Sequence, residues 1–328
     1  MQATISDIAK EAGVCIATVS RVMNSSATVS KATRDKVEKA MKKFDYVPSE
    51  IARGLKSKSL KTIAIVVKKL TEKHHMRIAE EINRRFAELG YDVMIFETIY
   101  EKEDNIASFL KRMLNKNVDG IVFIGSTFQV LTRFPELPEL FKNTPVVIAN
   151  GWIEGTYGLL VDEEKGTREL VEYIQKRGKH NIVFFKGNDT VSTQNKIKGF
   201  RSVVGDDGVV VDVLDTMDGI QYALEVLKPL NKGIDAIVCE DDSIAIKVVS
   251  TLMRSGVSIP SEIAVTGFND SGYSALAYPA ITSVDNKAIE QGQFCASLLE
   301  RILSGKEEIP EKKVLEVLET DLVIRQST

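Results

Sequence analysis

Two hydrophobic patterns divide the chain near residue 61. Beyond that point, nearly continuous apolar runs alternate with amphipathic stretches of about 12 to 18 residues, a pattern typical of buried parallel strands covered by helices on both faces. The fold class predicted for this part is therefore α/β, with two doubly wound lobes favoured over one sheet. The predicted strands are Thr62–Val67, Tyr91–Glu97, Asp119–Ile124, Pro145–Ala149, Asn181–Lys186, Val209–Asp215, Asp235–Cys239 and Ile263–Gly267.

Polar residues follow most of these predicted strands. Open parallel sheets bind ligands beyond the carboxyl ends of their strands, although strand ends are polar in most α/β proteins. Hydrogen-bonding groups together with one large aromatic side chain favour a small polar ligand. The candidates for such a cleft are Lys68, Lys69, Ser126, Thr127, Asn150, Trp152, Asp215, Thr216, Asp241, Asp242, Asn269 and Asp270.

The first 24 residues follow helical spacing instead. Apolar side chains recur every three or four residues in two short segments joined at Gly13 by a turn too tight for a solvated loop. This spacing predicts an all-α helix-turn-helix head, whose second helix enters the DNA major groove. The predicted inward positions are Ile5, Ile8, Ala9, Ala12, Val14, Val19, Val22 and Met23, and the outward positions of the second helix are Ile16, Ala17, Thr18, Ser20 and Arg21.

A third helix is predicted from an N-cap at Ser30 to about Asp45. Pro48 ends it, because its ring pushes the preceding residue away from helical dihedrals. The next residues, 49–58, are too few to form a stable helix alone, since isolated helices of under about 12 residues are marginal in water. A second copy of the chain or DNA would have to stabilise them. The apolar face of the third helix comprises Val37, Ala40, Met41 and Phe44.

Charge separates the same two parts. Residues 1–61 hold 12 Lys/Arg and 6 Asp/Glu, a net charge of +6, whereas the rest of the chain holds 31 and 40, a net charge of −9. A basic segment ahead of an acidic body suits neutralisation of DNA phosphates by the first and repulsion of the duplex by the second. A merely solvated basic face is the alternative.

Several other classes of protein find no support. The three cysteines are far apart and the histidines lack the i, i+4 spacing of a zinc pair, so no metal site is predicted. The sequence contains no nucleophile elbow, Walker loop or dinucleotide-binding turn, which argues against an enzyme, and no cofactor is predicted. Neither a signal peptide nor an apolar run of about 20 residues is present, so we expect a cytoplasmic protein without membrane contact.

Motifs along the whole chain resemble the lactose/galactose repressor family of bacterial transcription factors. The most specific is Ala-Gly-Val-x-x-x-Thr-Val-Ser-Arg-Val-x-Asn at residues 12–24. The resemblance implies a DNA-binding head, a hinge helix and a core similar to periplasmic sugar-binding proteins, with a homodimer as the working unit. The further motifs are Tyr46-Val47-Pro48, Lys61–Val66, Asp119–Val122, Val161-Asp162, Gly199-Phe200 and Val265–Asp270.

The resemblance also suggests domain limits. The expected units are a head at residues 1–47, a hinge helix or linker at 48–60, and an effector-binding core at 61–328. Within the core we expect an N-terminal lobe of about 61–159 and 286–317, and a C-terminal lobe of about 160–285 and 318–328. No leucine heptads follow the core, so a coiled-coil tetramer is not expected.

By the same resemblance, the outward side chains of the second helix contact DNA. Arg21 is placed for a bidentate contact with guanine, whereas Ile16 and Ala17 can offer only apolar contacts, for instance to a thymine methyl. Cys15 departs from the serine usual at its position, and we interpret it as a small buried residue rather than a redox switch. Phosphate contacts, which set register without specifying bases, are implied for Thr4, Thr18, Ser20 and Asn24.

The resemblance further places Ala52 and Leu55 in a hinge helix at the minor groove. Leu55 would intercalate at the centre of a palindromic operator, where unstacking costs a few kcal/mol and is offset by the contacts that the kink allows. The alternative is a flexible linker, which the polar run at Lys56–Ser59 would permit.

In the core, the resemblance implies that a small carbohydrate binds between the lobes and changes operator affinity, as in a repressor of carbohydrate-utilisation genes. Lys196 replaces an arginine of many members, Asn269 an aspartate and Asp241 an asparagine, which changes the donors and acceptors offered to a ligand. With Lys68 and Lys69 nearby, an anionic carbohydrate is an alternative to a neutral mono- or disaccharide. The implied effector-binding residues are Lys69, His75, Ser126, Asn150, Trp152, Lys196, Asp215, Asp241 and Asn269.

A second class of function suits the same core. An exported sugar-binding transport or sensor protein would have no gene-regulatory role. It would need a signal peptide, and it would have no reason to carry residues 1–60.

Overall fold

Three short helices form the N-terminal unit of the computed structural model. They are α1 (Ile5–Ala12), α2 (Ile16–Met23) and α3 (Lys31–Lys43). The structure describes residues 3–23, 28–46, 60–98, 103–134, 139, 141–227, 233–310, 312 and 314–328, with the backbone alone at 103–107. The chain divides into two compact units, Met1–Leu60 and Lys61–Thr328.

Local hydrogen bonds fix both ends of α1. The backbone N–H of Thr4 donates to the Asp7 carboxylate at 2.9 Å, and the backbone N–H of Asp7 donates to the Thr4 hydroxyl at 3.4 Å. This reciprocal pair satisfies donors that a helix N-terminus leaves free. At the other end, Gly13 adopts φ +64°, a left-handed conformation that glycine reaches without steric cost. The chain can therefore reverse within residues 13–15 and begin α2.

The predicted inward side chains do form the head's core. Ile8, Val19 and Val37 are fully buried, one from each helix, so a single cluster holds all three helices together. Phe44 was predicted to join this cluster and that prediction is wrong. It follows the last residue of α3, is 40% exposed, and lies under the Lys43 ammonium, which is 5.6 Å from the ring centre.

The second unit contains two parallel sheets. The strands of this unit are β1 (Thr62–Val67), β2 (Asp92–Glu97), β3 (Gly120–Ile124), β4 (Val146–Ala149), β5 (Tyr157–Val161), β6 (Ile182–Lys186), β7 (Val210–Asp212), β8 (Ala236–Cys239), β9 (Ala264–Thr266), β10 (Ser283–Asp285), β11 (Val314–Leu318) and β12 (Asp321–Val323). The first sheet has the strand order β11-β5-β4-β3-β1-β2 and the second β7-β6-β8-β9, while β10 and β12 pair antiparallel.

Helices cover both faces of the two sheets. Ile63 and Ile65 of β1 face one apolar cluster and Val66 faces another, as the two-residue period of a strand requires. The helices of this unit are α4 (Lys73–Glu88), α5 (Glu103–Leu114), α6 (Glu163–Lys176), α7 (Val191–Val204), α8 (Met217–Leu227), α9 (Asp242–Arg254), α10 (Tyr273–Leu276) and α11 (Ala288–Leu303), with a 3₁₀ segment at Ser126–Arg133.

The chain passes between the two lobes three times. After β5 in the first sheet, α6 packs on the second sheet through Leu170 and Ile174. After β10, α11 returns to the first sheet through Cys295 and Leu299. After β11, the chain continues into β12, which pairs with β10. Three segments of the chain thus connect the two lobes. The carboxyl ends of the strands of both sheets lie next to a shared cleft.

Some of the elements differ from those that the sequence predicts. Four strands, β5, β10, β11 and β12, were not predicted, and the predicted Val209–Asp215 strand is reduced to Val210–Asp212. Of the hinge predicted at residues 48–60, only Leu60 is among the described residues, so the hinge helix and its Ala52 and Leu55 stay predictions. Among the helices that the structure describes, none combines the length and apolar character needed to cross a membrane.

Candidate functional site

The outward face of α2 carries the predicted base-contacting side chains. Ile16, Ala17 and Arg21 are exposed, whereas Val19 and Val22 on the opposite side are buried. Ile16 is 49% exposed, so its apolar surface is accessible from outside the head. The structure therefore presents a small surface of one cation and two apolar groups, suited in chemistry to base edges.

The predicted phosphate-contacting residues lie around that face. Thr18 and Ser20 are half-buried on α2, and Thr4 is exposed at the start of α1. The Thr4 hydroxyl donates to the Asp7 carboxylate at 2.7 Å, so it would have to exchange this bond to reach a phosphate. Asn24 lies outside the described residues. These four contacts stay predictions.

Cys15 corrects the interpretation made from the sequence. It is exposed rather than buried, because it occupies the capping position at the start of α2. Its carbonyl accepts hydrogen bonds from the backbone N–H groups of Thr18 and Val19 at 2.9 and 3.2 Å. Its Sγ lies 3.2 Å from the Thr18 hydroxyl, and that hydrogen bond lowers the pKa of the thiol.

The ligand cleft is a polar cavity of about 90 Å³ between the lobes. Residues from the carboxyl ends of both sheets line it, as the topology requires. Asn150, directly after β4, and Asn269, three residues after β9, adopt φ +56° and +91°, a left-handed conformation that asparagine tolerates better than most residues. Predicted effector-binding residues that line the cavity are Lys69, His75, Ser126, Asn150, Lys196, Asp241 and Asn269.

Two predicted residues lie elsewhere. Trp152 lines a wider adjoining groove of about 1080 Å³. Asp215 lines neither space, so its prediction as a cleft residue needs correction. The strand before it ends at Asp212, and its carboxylate lies 2.7 Å from the Lys247 ammonium and 3.1 Å from the Ser243 hydroxyl. This ion pair ties the loop after β7 to α9.

Three other strand-end candidates have structural roles. The Asp242 carboxylate is 1% exposed and accepts from the Ser283 hydroxyl at 2.7 Å. Asp270 forms an ion pair with Arg325 at 2.7 Å. The Thr216 hydroxyl accepts from the Gly219 backbone N–H at 3.0 Å, at the start of α8. These contacts explain the residue types without a ligand.

Hydrogen bonds close the cleft from one lobe to the other. The backbone N–H of Ser192, at the start of α7, donates to the Ser126 hydroxyl at 3.2 Å. Asn150 donates to the Glu163 carboxylate at 2.9 Å, and the Ser192 hydroxyl donates to the same oxygen at 2.5 Å. Glu163 is 2% exposed, so the cost of its burial is offset by these two donors. Sequence reasoning missed Glu163 because the strand before it, β5, was not predicted.

Glu240 holds the loop after β6 and the first turn of α7 in place, and both belong to the wall of the cavity in the second lobe. Its Oε2 accepts from the backbone N–H groups of Gly187 and Asn188 at 2.6 and 2.9 Å, and its Oε1 accepts from the Thr193 hydroxyl at 2.7 Å. Its carbonyl accepts from the Lys196 ammonium at 3.1 Å. Glu240 was also missed, although it directly follows β8 and the strand-end rule that selected the two aspartates after it applies equally to it.

Asn286 links both lobes at a crossing. Its amide donates to Asn269 Oδ1 at 2.7 Å and to His74 Nε2 at 3.0 Å, which assigns the ring proton of His74 to Nδ1. That Nδ1 is buried without a hydrogen-bond partner in the described structure, as is Asn286 Oδ1. Burial lowers the pKa of His74 well below its ordinary value and that of His75 to about 4, so both rings are neutral at pH 7.

Carboxylates outnumber lysines around the cavity. Lys68, Lys69 and Lys196 face Glu72, Glu163, Glu240 and Asp241. Burial, together with the neighbouring carboxylates of Glu240, Asp215 and Glu72, raises the pKa of Asp241 to about 7. Among the residues that the structure describes, no group of three or more His, Cys, Asp or Glu side chains is arranged to hold a metal ion.

Asp241→Asn is expected to stabilise the core, and to do so more strongly at pH 8 than at pH 5. A carboxyl with a raised pKa favours folding while protonated, and this contribution is lost as pH rises from about 4 through about 7. Asparagine mimics the protonated form and can keep the bond from the Ile244 backbone N–H that caps α9. Calorimetric unfolding should give a midpoint higher by about 2–4 °C or more at pH 8.

The matched control is Asp206→Asn, at an exposed position. It should leave the unfolding midpoint unchanged at both pH values. Because all other titrating groups are common to the compared chains, their contributions cancel. An equal gain for Asp241→Asn at pH 5 and pH 8 would contradict the assignment.

Comparisons with known proteins match both parts of the chain. The profile of bacterial regulatory proteins of the lacI family matches residues 4–49, and that of a periplasmic binding protein-like domain matches residues 171–328. The chain is 28% identical to an HTH-type transcriptional regulator of Lachnoclostridium phytofermentans over 99% of both chains. It is also 28% identical to catabolite control protein A of Staphylococcus xylosus over 96% of both.

Solved structures of two-part regulators are similar to this chain over almost its whole length. A complex of the transcriptional regulator CelR with cellobiose is 26% identical, with a TM-score of 0.68, covering 99% of this chain and 100% of that one. The Lac repressor dimer bound to operator and the anti-inducer ONPF is 22% identical, with a TM-score of 0.82, covering 100% and 99%. This second likeness shows the fold alone.

These comparisons confirm the predicted family and fold class. The relatives are transcriptional regulators rather than enzymes, and their similarity includes the DNA-binding head, so a sugar-binding transport protein is not favoured. The chain carries the DNA-binding domain of the lacI family of bacterial regulatory proteins, followed by a periplasmic binding protein-like domain, and is a ligand-responsive, DNA-binding transcriptional regulator.

Proposed function

We propose that this regulator is a repressor that binds a palindromic operator as a homodimer and responds to a small neutral carbohydrate in the cleft. The observation that carries the proposal is one chain that combines an exposed base-reading face on α2 with a polar cavity between two hydrogen-bonded lobes. Binding to operator DNA implies a cytoplasmic location. The Lac repressor dimer on its operator is a solved precedent for the fold.

The balance of charges favours a neutral ligand over an anionic one. Four carboxylates and three lysines line the cavity, and Lys196 already donates to the Glu240 carbonyl. The two histidine rings are neutral at pH 7 and add no positive charge. Hydroxyl groups can donate to carboxylates and accept from lysine and asparagine. A sugar can therefore hydrogen-bond to both the acceptor and the donor side chains that line the cavity. The relative CelR was solved with cellobiose.

The response requires only that the ligand prefers one arrangement of the lobes. The bonds from Asn150 to Glu163 and from Ser192 to Ser126 cross the cleft beside the cavity. A ligand that inserts hydroxyls there competes with these bonds or adds to them. Coupling of about 1–3 kcal/mol, typical of allosteric proteins, changes operator affinity roughly 5- to 150-fold.

Selection of bound sites from a random duplex pool tests the proposal. The full chain is incubated with the pool alone and with neutral sugars, sugar acids or sugar phosphates. We expect a two-fold symmetric site whose recovery changes with a neutral sugar. Recovery that changes only with anionic sugars would transfer the proposal to that class, and no enrichment of any site at physiological salt would overturn it.

Arg21→Ala is expected to weaken binding to the selected site about 5- to 150-fold, because a bidentate contact with guanine is worth about 1–3 kcal/mol. Arg21→Lys keeps the positive charge and loses the planar fork, so it should recover non-specific affinity without sequence preference. Anisotropy titrations of the site and of a scrambled duplex give both values. If the lysine variant keeps full preference for the site, Arg21 acts through charge alone.

A further inference from the structure

The cleft contains two connected spaces of different size. The inner cavity of about 90 Å³ lies against the lobe crossing, and the outer groove of about 1080 Å³ extends along the 3₁₀ segment and the start of α7. Small-molecule sites commonly occupy about 300–1,000 Å³, so the inner cavity alone is below that range. The walls common to both spaces are Lys68, Lys69, Ser126, Thr127, Asn188 and Thr190.

The two spaces differ in chemistry. The inner cavity has only polar side chains around it, apart from Gly125. The outer groove adds the indole of Trp152 and the apolar side chains of Val130 and Val191, next to hydroxyl and amide groups. Val191 is 45% exposed, so this apolar surface is accessible from the groove. An apolar wall with a few placed polar groups is the composition of a binding site.

One of those polar groups has no partner. Gln129 Oε1 is buried and accepts no hydrogen bond in the described structure. A buried acceptor without a partner is unfavourable, and because Gln129 is a half-buried residue that lines the groove, rotation of its side chain would bring this oxygen to a donor from outside the protein. A sugar unit meets these features, since its hydroxyls donate and its C–H face packs on an aromatic ring.

We propose that the outer groove is a second sugar subsite, built on Trp152 and Gln129, and that the effector is an oligosaccharide of at least two units. One unit occupies the inner cavity and the next extends over Trp152. This inference rests on the proposed carbohydrate effector and adds its length. The common wall at Ser126 and Thr190 would contact the linkage between the units.

Trp152 provides the experiment, because it is the only tryptophan of the chain. The full chain is titrated by calorimetry and by tryptophan emission with neutral monosaccharides and with the corresponding di- and trisaccharides. We expect the longer ligands to bind at least about tenfold more tightly and to change the emission, because an aromatic anchor commonly contributes a factor of about that size to affinity. The ratio of long- to short-ligand affinity should fall about tenfold in Trp152→Ala and recover in Trp152→Phe.

Gln129→Leu is a second variant, close in size but without the acceptor. It should lower the same ratio and leave the Trp152 signal intact, which separates the two contributions. Equal affinity for monosaccharides and longer sugars, or an emission that no sugar changes, overturns the outer subsite and leaves a carbohydrate effector in place. A chain that binds no sugar of any length overturns the subsite and the proposed effector together.

Discussion

Ile8→Ala is expected to abolish operator binding while the core stays folded. Ile8 is fully buried in the cluster that joins the three helices of the head. Truncating a buried isoleucine to alanine costs about 2–5 kcal/mol. A unit of some sixty residues has a small core, and whole domains are stable by only about 5–15 kcal/mol, so this loss leaves much of the head unfolded. Anisotropy should show operator affinity at least about 100-fold weaker.

Ile16→Ala is the matched control, because it removes the same atoms from an exposed position of the same unit. The head should unfold at an unchanged temperature, and operator affinity should fall only by the value of one apolar contact. Calorimetry of both variants should also leave the unfolding of the core unchanged, since the core is a separate compact unit. Wild-type affinity in Ile8→Ala would contradict the assignment of the head's core.

The sequence predicted the elements whose hydrophobic pattern is complete within a few residues. Helices α1 and α2 and strands β1, β3 and β4 bury the side chains that their local spacing selects. By contrast, β11 is a short edge strand whose side chains are largely exposed. It exists because Val314 pairs with Tyr157 across more than 150 residues of chain, and no local pattern encodes such a pairing.

The cleft residues likewise divide into those that local spacing predicts and those that depend on long-range contacts. The strand-end rule correctly located Asn150 and Asn269 on the cavity, because parallel strands bring their carboxyl ends to one edge. It placed Asp215 there only because the strand before it was predicted three residues too long. It could not identify Glu163, whose partners Asn150 and Ser192 come from different lobes. Those roles depend on tertiary contacts that spacing does not reveal.

Glu240→Ala is expected to destabilise the core by about 3 kcal/mol or more and to remove the response to ligand. The substitution leaves the backbone N–H groups of Gly187 and Asn188 and the Thr193 hydroxyl without their acceptor. Each buried donor left unsatisfied costs about 1–3 kcal/mol. Asn188 lines the cavity, so the wall that it belongs to loses its position as well. Urea unfolding and ligand calorimetry measure the two effects.

Glu240→Gln distinguishes hydrogen bonding from charge. The amide oxygen can still accept from both backbone N–H groups, and the amide NH₂ can donate to the Thr193 hydroxyl, so the loss should be about 1 kcal/mol. Glu225→Ala, at an exposed position on α8, controls for removal of a carboxylate and should be neutral. Hydrogen exchange at Gly187 and Asn188 gives the decisive readout. Their protection should be lost in Glu240→Ala and kept in Glu240→Gln, and equal loss in both would show that the negative charge itself holds this wall.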